Sequence, residues 1–167
     1  MLDVIYKRRS IRKYQNKPVE KEKITEVLRC AMHAPSAMNK QPWEFVVCDK
    51  REVLDEIQKI HPYSQMLKTA PCCIVVAGNL ITQYAEGSYI QDCAAAVENL
   101  LLGATSVGLG TCWLGIYPDK QRQEAFRELF NMPKDMMPFC AIAIGYPDEE
   151  KYSPDRFDSK KVHFNRW

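Results

Sequence analysis

The sequence predicts an α+β fold in layers, with helices packed on a central sheet. Helical and strand-like periodicities interleave along the 167 residues, which favours a layered sandwich. Cys72 to Ala77 is a short continuous apolar run with β-branched residues, the pattern of a strand covered on both faces. Ser88 to Val107 is apolar almost all the way round, so it predicts a helix buried on most sides. The length fits one domain, residues 1–167, and suffices to bury a core without metals or disulfides.

In chain order, Leu2 to Lys7 predicts a short helix with Leu2, Ile5 and Tyr6 as an apolar edge. Arg8 to Tyr14 alternates and reads as extended. After Pro18, Glu20 to His33 carries Ile24, Val27, Leu28, Ala31 and Met32 at helical spacing. Ala34 to Phe45 then holds Pro35 and Pro42 around a small polar loop. Proline fixes φ and removes a donor, so the loop is expected to be stiff. Ala34 and Gln41, each before a proline, are expected to be extended. Glu44 to Cys48 predicts a strand, Arg51 to Ile60 an amphipathic helix that Pro62 ends, and Cys72 to Ala77 the covered strand. On the long helix, Gln91, Asp92, Glu98 and Asn99 form a narrow polar stripe. A helix with so little polar surface in so small a domain predicts a central helix or one shared with a second subunit, the shared helix being favoured. Thr111 to Leu114 predicts a short strand or extended turn, Lys120 to Phe130 a helix, and Pro138 to Ile144 a buried strand. Asp148 to Trp167 is irregular yet rich in aromatic residues, so it is expected to dock on its own domain or on a partner.

Composition excludes several function classes. The formal net charge of +2 is too small for general nucleic-acid affinity. Lys7, Arg8, Arg9, Arg12 and Lys13 instead cluster locally, as for an anion site. The seven cysteines include no C-x-x-C pair. Adjacent Cys72 and Cys73 point to opposite faces of a strand, and Cys30, Cys48, Cys93 and Cys140 fit small core residues. Scattered cysteines predict a reducing, cytoplasmic location. No run reaches the roughly 18 apolar residues of a membrane helix.

No nucleophile or metal motif is present, whether G-x-S-x-G or H-E-x-x-H. His33, His61 and His163 read as structural or surface residues. Gly108 and Gly110 follow a helix rather than open one, so they are a poor phosphate cradle. The remaining chemistry is cationic and backbone-based. Arg8, Arg9 and Arg12, with Ser10, could hold a phosphate through charge-assisted bonds. Ser36 and Asn39 offer polar side chains, Leu114 and Gly115 offer backbone N–H groups, and Arg156 or Lys160 adds a tail cation. Together they suit a phosphorylated aromatic cofactor.

Four blocks in order resemble the nitroreductase family of flavin enzymes: Arg8 to Tyr14, Ala34 to Trp43, Gln91 to Gly110, and Trp113 to Gly115 with Ala143 to Pro147. The resemblance implies a three-layer α-β-α sandwich with a central mixed sheet and a C-terminal arm around a partner subunit. It also implies a homodimer with two FMN sites at the interface and NADH or NADPH as electron donor. On that basis Arg8, Arg9, Ser10 and Arg12 match the block that holds the phosphate, ribityl chain and pyrimidine edge. Pro35, Ser36, Ala37 and Asn39 match the loop reaching the flavin from the other subunit. Leu114 and Gly115 match the turn facing N5 and O4, and Arg156 the C-terminal cation on the phosphate. The expected activity is hydride transfer through flavin N5 to a nitroaromatic or quinone, with no catalytic side chain and no metal. The alternatives are a flavin-storage module with little turnover, or a flavin-cleaving or dehalogenating relative. The chain is short between Gly78 and Gln91, which predicts an open pocket, with Tyr84 and Tyr89 as lining or as core.

Overall fold

Alternating side chains on two central strands decide the architecture. In the computed structural model, which describes residues 2–167, four strands form one sheet in the order β1-β2-β4-β3. They are β1 (Trp43–Cys48), β2 (Cys72–Asn79), β3 (Gly110–Gly115) and β4 (Met136–Gly145). Successive strand side chains point to opposite faces. Cys72, Ile74, Val76, Cys140, Ile142 and Ile144 therefore enter one core, shared with α2 (Lys21–Met32) and α4 (Ser88–Ser106). Cys73, Val75, Ala141 and Ala143 enter the other, shared with α3 (Arg51–Ile60) and α5 (Lys120–Leu129). The result is the expected α-β-α sandwich. The named strands pair antiparallel throughout. The parallel component expected of a mixed sheet is a single bridge, Ser10 to Thr111.

Helix α1 (Leu2–Lys7) buries none of its residues and leaves Leu2, Ile5 and Tyr6 exposed. Helix α4 crosses the sheet and carries the largest share of the first core. Its Asp92, read above as part of a polar stripe, is only 5% exposed. Tyr89 is buried on the same helix, whereas Tyr84 in the preceding loop is 60% exposed, so of the two only Tyr84 is free to line a pocket. The six other cysteines are buried and Cys30 is half-buried, as small core residues are. Burial pushes the thiols of Cys48, Cys72 and Cys93 up to about 12, well away from reactive thiolates.

Beyond Tyr146 the chain runs irregularly to Trp167, apart from one turn at Ser159–Lys161. Tyr152, Phe157, Phe164 and Trp167 all lie open on the surface. Of the two docking expectations for this tail, its own domain does not supply the cover. No helix among the described residues is long and apolar enough to cross a membrane.

The packing of α4 on β2 depends on Gly78. A Cβ at this position would overlap the buried ring of Tyr89. The Gly78→Ala variant is expected to lose about 1–3 kcal/mol of stability, the range for overpacking a filled core. Denaturant unfolding measures this directly, and in a Tyr89→Ala background, which removes Cγ and Cδ2, the same substitution should cost less.

Candidate functional site between sheet edges

Strand β3 forms one edge of the sheet, so half of its backbone groups have no strand to bond. The register pairs Leu114 with Ala141 and Gly115 with Cys140, and Ile116 N–H donates to Phe139 beyond the strand. Hydrogen-bonded and non-bonded pairs alternate along an antiparallel ladder. Leu114 therefore spends its N–H on β4, whereas Thr111, Trp113 and Gly115 turn theirs outward. The Thr111 carbonyl accepts from Ile11 N–H at 2.8 Å, which lays the arginine segment along this edge. Ile11 sits so close that a Cβ on Gly110 would lie 2.8 Å from its Cγ1. Tyr14 locks the segment from beneath, its buried hydroxyl 2.7 Å from the Ile11 carbonyl and 3.2 Å from that of Ala143. Burial raises the Tyr14 phenol above its ordinary range, so it stays a neutral donor.

The chain after the sheet ties the segment down. Glu149 Oε1 accepts from the N–H groups of Arg12 and Lys13, at 2.5 and 3.3 Å. Lys151 Nζ donates to the Ser10 carbonyl at 2.8 Å and pairs with Glu149 at 2.9 Å. Burial works against the Glu149 carboxylate, but these donors outweigh it and hold its pKa below the usual value. The backbone is thus fixed while the cations are left available. Arg8 lies 3.6 Å from Glu98 on α4. Arg9 and Arg12 form no salt bridge among the described residues, and Arg9 Nε is buried without a hydrogen-bond partner.

The Pro35–Pro42 loop lies at the other edge. It leads straight into Trp43, the first residue of β1. Three strand spacings separate β1 from β3, about 14 Å. The loop is stiff, as expected, but by a different means. Met38, Asn39 and Gln41 all have positive φ, at 49, 53 and 47°. Gln41 is therefore left-handed rather than extended. Its N–H donates to Ser36 Oγ at 2.9 Å and its side chain to Asn39 Oδ1 at 2.8 Å, and these bonds override the pre-proline preference. Such conformations cost about 1–3 kcal/mol each and persist where the surroundings over-determine them. Asp92 supplies the anchor: its Oδ1 accepts from Ala37 N–H at 2.9 Å. Its Oδ2 is enclosed and unpartnered.

At the far end of the same edge, two donors converge on the Gly115 carbonyl: His61 Nε2 at 3.0 Å and Arg122 Nη1 at 2.7 Å. Arg122 is itself held by Asp119, the N-cap of α5, at 3.1 Å.

A model of the nitroreductase family matches residues 5–61 and 58–146. The chain belongs to the nitroreductase family. A protein of Methanothermobacter thermautotrophicus provisionally named NADH dehydrogenase/NAD(P)H nitroreductase is 42% identical over 167 residues, covering 100% of this chain and 87% of the relative. The solved FMN-dependent nitroreductase of Clostridium difficile R20291 superimposes with a TM-score of 0.92 at 35% identity, covering 100% of both chains. A provisionally named nitroreductase of Desulfovibrio desulfuricans, solved in complex with FMN, gives a TM-score of 0.85 at 28% identity, covering 99% of this chain and 96% of that one.

Within one chain, then, the structure of this family member gathers Arg8, Arg9, Ser10 and Arg12 with Gly115 along the β3 edge. It keeps Pro35, Ser36, Ala37 and Asn39 at the β1 edge. Leu114 turns its side chain into the core and its N–H toward β4, so Gly115 alone of that pair offers an outward donor. Arg156 lies exposed in the tail, and the tail cation that reaches the arginine segment is Lys151. Sequence reasoning missed Lys151, Glu149, Asp92 and the His61–Arg122 pair. Each acts through a partner far away in sequence, which periodicity does not encode.

Removing the Asp92 carboxylate should release the strained loop. Asp92→Ala is expected to cost about 1–3 kcal/mol, since it strips a partly buried N–H of its partner. Amide hydrogen exchange across residues 36–41 should accelerate far more than exchange in β2. Uniform acceleration would mean that Asp92 anchors the whole fold rather than the loop.

Proposed function

We propose that two copies of this chain bind FMN at two sites between them and pass hydride from NADH or NADPH, through flavin N5, to an electron-poor acceptor such as a nitroaromatic or quinone. The observation that carries this reading is the β3 edge. It combines uncommitted cations at Arg9 and Arg12 with an outward backbone donor at Gly115, about 13 Å from Thr111 along the strand. That combination fits a long ligand with an anionic end and a planar hydrogen-bonding end. The orphaned Arg9 Nε fits the same ligand, because a buried guanidinium nitrogen without a partner implies a group absent from the isolated chain. The FMN named for the Clostridium and Desulfovibrio relatives supports this choice, as does the NAD(P)H named for the Methanothermobacter protein.

Bound FMN would supply reversible hydride acceptance at N5, chemistry that amino-acid side chains lack. The chain supplies binding, orientation and electrostatics. Arg9 and Ser10 hold the phosphate and ribityl chain. Arg12, exposed and uncommitted, offsets negative charge at the pyrimidine edge; Arg8 is less suited to that task because Glu98 partly neutralises it. Gly115 N–H fixes the ring edge. Ser36 and Asn39 close the site from the second copy, since their own loop stands at the far edge of the sheet. The exposed apolar face of α1 and the uncovered aromatic tail are surfaces for that second copy, with the tail as an arm around it. The acceptor approaches from the open side, beside exposed Tyr84. Arg156 remains a candidate phosphate ligand once the arm is in place, beside Lys151.

Protein purified without added cofactor should be yellow and dimeric, and NADH or NADPH should bleach it anaerobically before a quinone or nitroarene restores the colour. Arg9→Ala and Arg12→Ala should each weaken FMN binding by about 1.5–3 kcal/mol, as for hydrogen bonds to a charged group. A chain that takes up no FMN defeats the proposal. Bound flavin that neither nicotinamide bleaches would leave a storage role.

A further inference from the structure

His61 is a buried titratable side chain that the flavin reading leaves without a task. It is 2% exposed, at the C-terminal end of α3. Its own carbonyl accepts from Ser64 N–H and Ser64 Oγ, at 3.1 and 2.6 Å, which fixes the backbone beneath it. The rings of Phe126 and Tyr63 meet the imidazole edge-on, each with its centroid 6.3 Å away. Packing thus sets the plane of the ring.

Hydrogen bonding then sets its proton. Nε2 faces the Gly115 carbonyl, which can only accept, so Nε2 carries the hydrogen. Nδ1 lies 3.3 Å from Tyr63 N–H, which can only donate, so Nδ1 keeps its lone pair. The neutral Nε2–H tautomer satisfies both nitrogens. Protonation of Nδ1 would oppose the Tyr63 N–H and put a buried cation near Arg122, with Asp119 as the one facing carboxylate. Burial is the main force lowering the imidazole pKa, and the Arg122 charge adds to it.

The target of this donor is telling. Gly115 has no side chain to fix its torsions and lies exposed at the end of an edge strand. His61 and Arg122 together occupy both lone pairs of its carbonyl, one from the end of α3 and one from the first turn of α5. The same residue sends its N–H off the open edge.

We infer that His61 is a positioning residue: with Arg122 it holds the Gly115–Ile116 peptide, which fixes the end of β3 and the Gly115 torsions through which the N–H of the preceding peptide points toward a ligand on the β3 edge. This inference rests on the flavin reading for the identity of that ligand, but the clamp itself is a property of the chain.

The experiment compares His61→Gln with His61→Asn. A glutamine amide reaches the position of Nε2 and can still donate to Gly115. An asparagine amide overlays Nδ1 and falls short. His61→Asn should weaken FMN binding about tenfold and shift the absorbance bands of bound flavin, whereas His61→Gln should stay within about threefold of the parent. Hydrogen exchange at the Ile116 amide, which shares a peptide with the clamped carbonyl and donates to Phe139, should quicken in the Asn variant alone. Imidazole ¹⁵N spectra of the parent should show the Nε2–H tautomer, persisting below pH of about 6.5, where an exposed histidine has become half protonated. Equal effects of Gln and Asn, or an Nδ1–H tautomer, would overturn the inference. If the parent binds no FMN, the flavin reading fails alone. The tautomer and the Ile116 exchange rates then decide the clamp, with unchanged rates in the Asn variant counting against it.

Discussion

The unpaired edge of β3 is the constraint on which the rest of the structure depends. A strand at the edge of a sheet presents a row of free N–H and C=O groups, which invites pairing with other chains. Here the outward carbonyls at the two ends of the edge have assigned partners. The arginine segment takes Thr111, and His61 with Arg122 takes the Gly115 carbonyl. One end of the edge is thereby lined with cations, and the other carries the outward N–H of Gly115. The same solution that blunts the edge builds half of a ligand site.

The opposite edge stores conformational strain instead of charge. Three departures into left-handed backbone within four residues, at Met38, Asn39 and Gln41, would not survive in a free loop. They survive because Ser36, Asn39 and Gln41 bond among themselves and because Asp92 reaches up from α4 to hold Ala37. Burying that carboxylate is costly unless it is bonded. Its position on the helix that crosses both edges makes the loop and the sheet one mechanical unit.

Much of the fold was legible from periodicity alone. All five helices and four strands fall where apolar spacing puts them, within one or two residues of the predicted ends. The continuous apolar run of β2 and the all-round apolar α4 predict the two-faced sheet and its covering helix. Pairing direction was not legible, because no strand's own side chains specify its neighbour. Asp92 was misread as surface because spacing cannot distinguish a solvated carboxylate from one satisfied by a distant N–H. Gln41 was misread because a local preference before proline yielded to bonds made across the loop. The arginine block and the proline loop stand out in sequence by composition and by resemblance to the nitroreductases. Their separation across the sheet is a topological fact, visible only once the strand order is known.

That separation makes the central claim testable with two variants that are each defective. One chain would carry Arg9→Ala with Arg12→Ala, and the other Ser36→Ala with Asn39→Ala. If each site takes its arginines from one copy and its loop from the other, neither pure variant binds FMN at the parent affinity. Unfolding and refolding the two together would form mixed dimers with one intact and one doubly defective site. Random pairing then restores roughly a quarter of the parent's high-affinity sites. No restored binding, in a sample shown to contain mixed dimers, would mean that one chain supplies the whole site and would contradict the account.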